Sequence, residues 1–491
     1  MDNELQNRKL IKKKLTWLLL FLGTAVAICV ACIIYFAKRV PTWTEWQEKT
    51  IHTDEFGLSA YDLTLKNKRF TISDAEGKTV YTSEKEFLIQ DIILSDIDEN
   101  GDGELVTLVW KKGKFGNHKP FWVKTDEKSY SQHVFVYDLD KDGSVRQKWF
   151  ASEIGMEVSR MKLMEKNNTI VLTETKDGRN LLWKWDSFGL KNIDNEVSFV
   201  AFGDNIIHEE IIEYAKNHEK GNYDFLYKPY KKEIESADIA AVNAETVLVD
   251  ADNMVSGYPL FGSPKKVGEA LIDAGFDIFA CANNHVLDKG IGALEYTRGF
   301  YLDNGALPIG IQESKENEYR PYELIARNGI TFALFSYTYG TNVGNTSAKY
   351  PCMIHYLPEN EEQELELIND LKRSRKEADI IVVFVHWGNE YEKEISPQQR
   401  HFAKLFAKGG VDIVIGSHPH VVQEVETMIR PDGGEMTVYY SLGNFRAYQG
   451  LSEDTKVGAM ADITVWHTYD GVKVKNCDIR MIDAYWRSKN H

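Results

Sequence analysis

Hydrophobic and polar positions follow three different rhythms along the chain. From Val197 onward, short apolar runs recur: VSFVAFGD, DIAAVNAE, FDIFACANNH, TFALFSY, DIIVVFVHWG, VDIVIGSH and TVYYSLGNF. Runs of that length read as strands. Between several of them lie helices with clear ends. Ser263-Pro264 predicts an N-cap followed by proline at the first helical position, with Gly275 closing the helix. Ser396-Pro397 predicts the same start for a helix ended by Gly409. A third helix is predicted from Glu361 to Lys376, capped by Asn360, acidic first, basic last, with one apolar stripe. Strands alternating with helices predict an α/β domain with a largely buried, mixed or parallel sheet.

Residues 40 to about 195 alternate differently. FTISD, KTVYTS, HVFVYDL and TIVLTET are short strand patterns punctuated by Gly, Asp and Asn, which predicts a separate β-rich domain. DIILSDIDENGDGELVTLVWKKG and MKLMEKNNTIVLTETKDGRNLLWKW share a strand, a polar turn and a strand carrying Trp. A propeller-like or sandwich repeat is expected, although the stretch is short for a closed propeller.

The third rhythm is no alternation at all. Leu15 to Phe36 is an uncharged run of 22 residues, enough to cross a bilayer at about 1.5 Å per residue. Arg8, Lys9, Lys12, Lys13 and Lys14 precede it, and only Lys38 and Arg39 follow. The heavier positive flank belongs in the cytoplasm. The expected order is therefore a cytoplasmic basic tail (1–14), an uncleaved transmembrane signal anchor (15–37), and a bulk outside the cell membrane. A length of 491 residues suits two folded domains plus that anchor. A net charge of −16 argues against a nucleic-acid partner. Cys281, Cys352 and Cys477 are widely scattered and make no CxxC pair.

The chemistry gathers where the strands stop. One run ends on Gly203-Asp204, the next on Asn243-Ala244-Glu245, the next on Asn283-Asn284-His285 with Asp288 beyond. Later runs end on His386, on His418-Pro419-His420 and on Asn444. In α/β sheets the ligand site lies outside the carboxyl ends of the strands. Oxygen and imidazole donors together suit Mn, Fe or Zn. A carboxylate able to bridge predicts two ions. In an extended or turn segment, His418 and His420 would project the same way across Pro419.

FGDNII, NAETVLVD, ANNHVLDKGIGALEYT, FVHWG, GSHPHVVQ and YYSLGNF resemble the successive blocks of the CapA/PgsA (PGA_cap) capsule-synthesis family, which is similar to calcineurin-like metallophosphatases. The resemblance covers about 197 to 485 and implies a metallophosphatase-like α/β/β/α sandwich. It implies metal ligation by Asp204, bridging Glu245, Asn284, His386, His418 and His420. It makes His285 a general acid, grouped here with Asp288 as catalytic, and Asn243, Asn283 and Asn444 are assigned to substrate. Two departures stand out. Phosphatases of this fold place His two residues after the first Asp, where this chain has Ile206, and His208 lies four on. The bridging group is Glu rather than Asp.

Other patterns carry less. Asp96, Asp98, Asn100, Asp102 and Glu104 alternate oxygen ligands around a Gly and are a candidate calcium loop. Lys228, Lys231, Lys232, Lys265 and Lys266 are candidates for steering an anionic substrate. GxxxxGK[ST], a GxGxxG after a strand, and GxSxG are absent from the sequence. The expected function is a membrane-anchored, extracellular factor for an anionic, poly-γ-glutamate-like envelope polymer, working with other synthase subunits. A non-catalytic scaffold and a metal-dependent phosphoesterase are the alternatives.

Overall fold

Both faces of the parallel strands after Asp194 are apolar, so each of these strands must be covered twice. In the computed structural model, which describes residues 39–52, 61–116, 119–121, 123–164, 168–176, 180–193, 196–344, 349–468 and 471–486, they are. The chain divides into two compact units, with the boundary between Ile193 and Asp194.

Among the described residues of the second unit, one seven-stranded sheet and one six-stranded sheet carry the fold. The first runs in the order Leu307–Ile309, Ile278–Ala280, Ile239–Ala244, Glu196–Asn205, Val457–Thr468, Gly471–Asp483, with Asn444–Arg446 also pairing with Glu196–Asn205. Its first four strands are parallel and its last two antiparallel. The second has Ile330–Thr338, Ile380–His386, Ile413–Ser417 and Glu435–Tyr439 in parallel, with antiparallel strands at both edges.

The period-2 alternation of strands decides the layers. Val197, Phe199 and Ala201 point into the core between the sheets, where they join Phe332, Leu334, Val382 and Phe384. Val200 and Phe202, on the other face, meet Ile211, Leu271 and Phe276 from the first helical layer. Ile381, Val383 and Val385 turn outward against Leu371, Phe402 and Phe406 of the second layer. Helix, sheet, sheet, helix is therefore the order of layers.

Local signals set most helix ends. Asn360 caps Glu361–Ser374 by accepting from the Gln363 N–H. Ser396 and Gln399 form a reciprocal capping box on Pro397–Gly409, and the left-handed residue that stops this helix is Gly410 rather than Gly409. Ser263 does not cap its helix. Its hydroxyl is engaged by Thr246 at 2.7 Å, and Lys265–Asp273 starts after Pro264. The run TVYYSLGNF is not one strand either. It leaves the six-stranded sheet at Tyr439 and enters the seven-stranded sheet at Asn444, turning through Gly443 at φ 64°.

Among the described residues, the first unit holds three four-stranded antiparallel sheets, each a simple meander: residues 49–82, 88–150 and 158–193. The middle sheet packs on both others. Ile89, Ile92 and Phe135 meet Leu63 and Phe70 on one side, and Val106, Leu108 and Val134 meet Ile170 and Leu172 on the other. The two repeat-like stretches fall in the second and third sheets. No helix among the described residues is long and apolar enough to cross a membrane, and the Leu15–Phe36 run lies outside them.

Candidate metal centre and its cleft

The parallel strands place their carboxyl ends side by side. Asp204 is in register with Asn243 and with Asn444, and His386 with Ser417, one residue before His418. Close backbone crossings make this possible. A Cβ on Gly203 would lie 1.9 Å from the Gly443 carbonyl oxygen, and one on Gly416 would lie 2.1 Å from that of Tyr440. Only glycine fits at either place.

Asp204, Glu245, Asn284, His386, His418 and His420 come together, all buried. Ligand atoms of Glu245, His386 and His418 lie within 4.8 Å of one another, as do those of Asp204, Glu245 and His420. Glu245 belongs to both groups. Of the extended and turn segments that the sequence left open for His418 and His420, the structure has the turn. Both have positive φ, 98° and 58°, so a strained turn aims them. Their rings are 6.0 Å apart.

Buried amides orient the donors. Asn243 Nδ2 donates to Asp204 Oδ1 at 2.7 Å, and the His418 N–H donates to Asp204 Oδ2 at 3.2 Å. Asn284 Oδ1 is 2.9 Å from His386 Nε2, and Asn444 Oδ1 is 3.1 Å from His420 Nδ1. Asn283 works beneath the surface: Nδ2 donates to the Ala244 carbonyl and Oδ1 accepts from the His285 N–H. Asn243, Asn283 and Asn444, assigned to substrate from the sequence, thus spend these contacts on the frame of the site.

Two features fit a divalent cation. Both Glu245 carboxylate oxygens and His418 Nδ1 are buried without a hydrogen-bond partner. Native buried polar groups are rarely left so. Burial also holds His386 down at about 3 and His418 at about 2, so both are neutral imidazoles, the form that ligates. Burial and the Asp204 charge push Glu245 well above the usual carboxylate range. Burial opposes protonation of His420, but Glu245 and Asp204 outweigh it and raise His420 to about 9.

His285 and Asp288 form a dyad beside this cluster. His285 Nδ1 is 2.6 Å from Asp288 Oδ2, which also accepts the Phe261 N–H at 2.8 Å. The imidazole stands edge-on to Phe261, with centroids 4.7 Å apart. His285 and His420 line a cleft of about 860 Å³, whose rim carries Tyr258, Tyr391, Tyr448 and Leu451. Ile206 and His208 line it too. His208 precedes the helix Glu209–His218, and the Tyr448 N–H lies 3.2 Å from its Nδ1. No Lys or Arg is among the described lining residues. Lys231 pairs with Asp273 and Lys265 with Glu269, so neither steers a ligand from the cleft wall.

Sequence reasoning missed Glu390. It is exposed, yet its carboxylate lies within 4.8 Å of donor atoms of both His418 and His420. The signal was present in FVHWGNEY, an acid just past a strand-end histidine, but lone acids after strands are common.

In the first unit the calcium expectation falls on a loop that also has a lysine close by. Asp96, Asp98 and Glu104 do converge. Lys148 Nζ stands beside them, 2.6 Å from Asp98, 2.9 Å from Glu104 and 2.9 Å from Asp138. Asp96 instead accepts the Asn100 and Gly101 N–H groups, Asn100 accepts the Asp102 N–H, and Asp102 faces Lys141 at 3.8 Å.

Comparison with known proteins agrees with the strand-end blocks. PGA biosynthesis protein CapA of Bacillus subtilis (strain 168) is 31% identical over 186 residues, 38% of this chain and 46% of that protein. Capsule biosynthesis protein CapA of Bacillus anthracis is 26% identical over 278 residues, 55% of this chain and 64% of that protein. The matches thus span less than two thirds of either relative. Among solved structures, calcineurin-like phosphoesterase YfkN from Bacillus subtilis aligns with a TM-score of 0.35 at 15% identity, over 59% of this chain and 91% of that one. A phosphatase from Mycoplasma pneumoniae gives 0.34 at 16% identity, over 59% and 94%. The family model described as bacterial capsule synthesis protein PGA_cap matches residues 198–449, from the first strand of the α/β unit to the cleft rim, and the chain belongs to that family.

Proposed function

We propose that the chain is a membrane-anchored, extracellular factor in making an anionic, poly-γ-glutamate-like envelope polymer, and that its strand-end cluster is a divalent-metal centre of hydrolase or transferase type. The observation that carries this reading is the Glu245 carboxylate, fully buried with both oxygens unpartnered among three imidazoles. Asp204, Glu245, Asn284, His386, His418 and His420 would hold Mn, Fe or Zn, two ions sharing Glu245. Such ions, when bound, supply Lewis-acid polarisation of a carbonyl or phosphoryl oxygen.

The chain's own groups do the rest. Asn243 and the His418 N–H fix the Asp204 carboxylate, while Asn284 and Asn444 fix the rings of His386 and His420. Asp288 engages Nδ1 of His285, so Nε2, which the cleft residue Asn342 approaches at 3.5 Å, is the nitrogen that would pass a proton to the leaving atom. The cleft wall has no Lys or Arg among its described residues, and cations held by the strand-end cluster would supply positive charge there for an anionic chain. In this scheme Leu15–Phe36 anchors the chain with its N-terminus in the cytoplasm, and other synthase subunits are its partners.

The test is complementation in cells that lack the protein. Chains carrying His285→Ala or His418→Ala should be present at normal level yet fail to support polymer production. Normal polymer from both would sink the catalytic reading. It would leave the scaffold, which Ile206 in place of a further donor favours.

A further inference from the structure

Glu390 sits on the open side of the centre, where the other carboxylates do not reach. It follows the strand Ile380–His386 by a short loop that is tied down at both ends. The Tyr391 N–H donates to the Pro419 carbonyl at 2.8 Å, between the two histidines of the turn. On the far side, Gln423 Nε2 donates to the Glu392 carbonyl at 2.8 Å. Tyr391 is held at φ 65°, a conformation a tyrosine adopts only when its surroundings impose it. The effect is to hold an exposed carboxylate within 4.8 Å of donor atoms of His418 and His420.

That geometry makes a third triad. Glu390 shares His418 with the Glu245–His386 group and His420 with the Asp204–Glu245 group. His418 is 4% exposed, and its Nδ1 has no hydrogen-bond partner, so a buried donor stands ready for an ion there. Ile206, on the same cleft, contributes no donor, and no Lys or Arg among the described lining residues competes for the Glu390 charge. A hard anionic oxygen beside imidazole nitrogens suits Mn, Fe or Zn.

We infer that Glu390 is a further metal ligand, a carboxylate that would join His418 or His420 in holding an ion from the cleft side. The inference rests on the reading of the strand-end cluster as a metal centre. Glu390 is exposed where the other candidate ligands are buried, so it would be the one within reach of a substrate in the cleft.

The experiment is a Mn²⁺ titration of the full-length chain in detergent, freed of metal with chelator, comparing wild type, Glu390→Gln and the loop control Glu394→Gln. Binding is read by calorimetry and by the paramagnetic resonance signal of free Mn²⁺. Wild type and Glu394→Gln should bind alike, and Glu390→Gln should weaken one ion by about tenfold or more. Because residue 390 is exposed, thermal unfolding in chelator should be the same for all three chains, which excludes a folding defect. Equal Mn²⁺ affinity and stoichiometry in wild type and Glu390→Gln would overturn the assignment while leaving the centre standing. No Mn²⁺ bound by wild type would overturn both.

Discussion

Replacing Glu245 with methionine separates the stability of the α/β unit from its capacity for metal. Glu245 is fully buried, its two oxygens have no hydrogen-bond partner, and Oε1 is 3.4 Å from His386 Nε2 and 3.8 Å from His420 Nε2. An unsatisfied buried polar group costs about 1–3 kcal/mol. Burial and Asp204 already drive this carboxyl toward its neutral form. Methionine is unbranched, adaptable and carries no strong polar atom. In chelator, Glu245→Met should therefore be more stable than wild type by about 2 kcal/mol, or roughly 3 °C in Tm for a unit of this size. Excess Mn²⁺ should reverse the order. Wild type gains about 2.7 kcal/mol at a hundredfold excess over Kd, and the variant gains little. Thermal unfolding with and without chelator reads both effects. A variant less stable than wild type in chelator would show that Glu245 is satisfied without an ion. Equal Mn²⁺ stabilisation of both chains would show that the ion sits elsewhere.

The backbone crossing at Gly203 gives a second prediction: Gly203→Ala should lose about 1–3 kcal/mol in urea unfolding, at the upper end because the obstacle is the Gly443 carbonyl and not a movable side chain. In the first unit, Lys148→Met removes the ammonium shared by Asp98, Glu104 and Asp138, and should cost about 3 kcal/mol. Added calcium should recover part of that loss in the variant and leave wild-type Tm unchanged. At the dyad, His285→Ala should lower turnover by about a hundredfold or more, and Asp288→Asn by less, since it removes only the group that orients Nδ1. Polymer yield per cell is the readout for both.

Much of the α/β unit was legible because local rules and global packing agree there. Val197, Phe199 and Ala201 alternate with Val200 and Phe202 in a run that is apolar on both faces, which is what a strand between two layers requires. Asn360 and Ser396 cap their helices through contacts only three residues long, so sequence spacing suffices to find them. The strand-end donors were visible because each follows its own strand. What stayed hidden depends on distant parts of the chain. The run TVYYSLGNF looks continuous, and only the crossing of Gly443 with Gly203 divides it between two sheets. The spacing of the Asp96–Glu104 loop is visible in the sequence, but the approach of Lys148 to Asp98 from a neighbouring hairpin is not. Glu390 becomes a candidate ligand through the contact of Tyr391 with Pro419. The turn that aims His418 and His420 is strained, and strain at a site is the place where local propensity misleads.

Metal content decides the central claim most directly. The purified chain and a His418→Ala/His420→Ala double variant, prepared alike without added chelator, would be compared by elemental mass spectrometry. The account predicts about two Mn, Fe or Zn per wild-type chain and their loss from the variant. Equal content in the two, or none in wild type, would contradict it and leave the buried strand-end histidines a structural part of a scaffold.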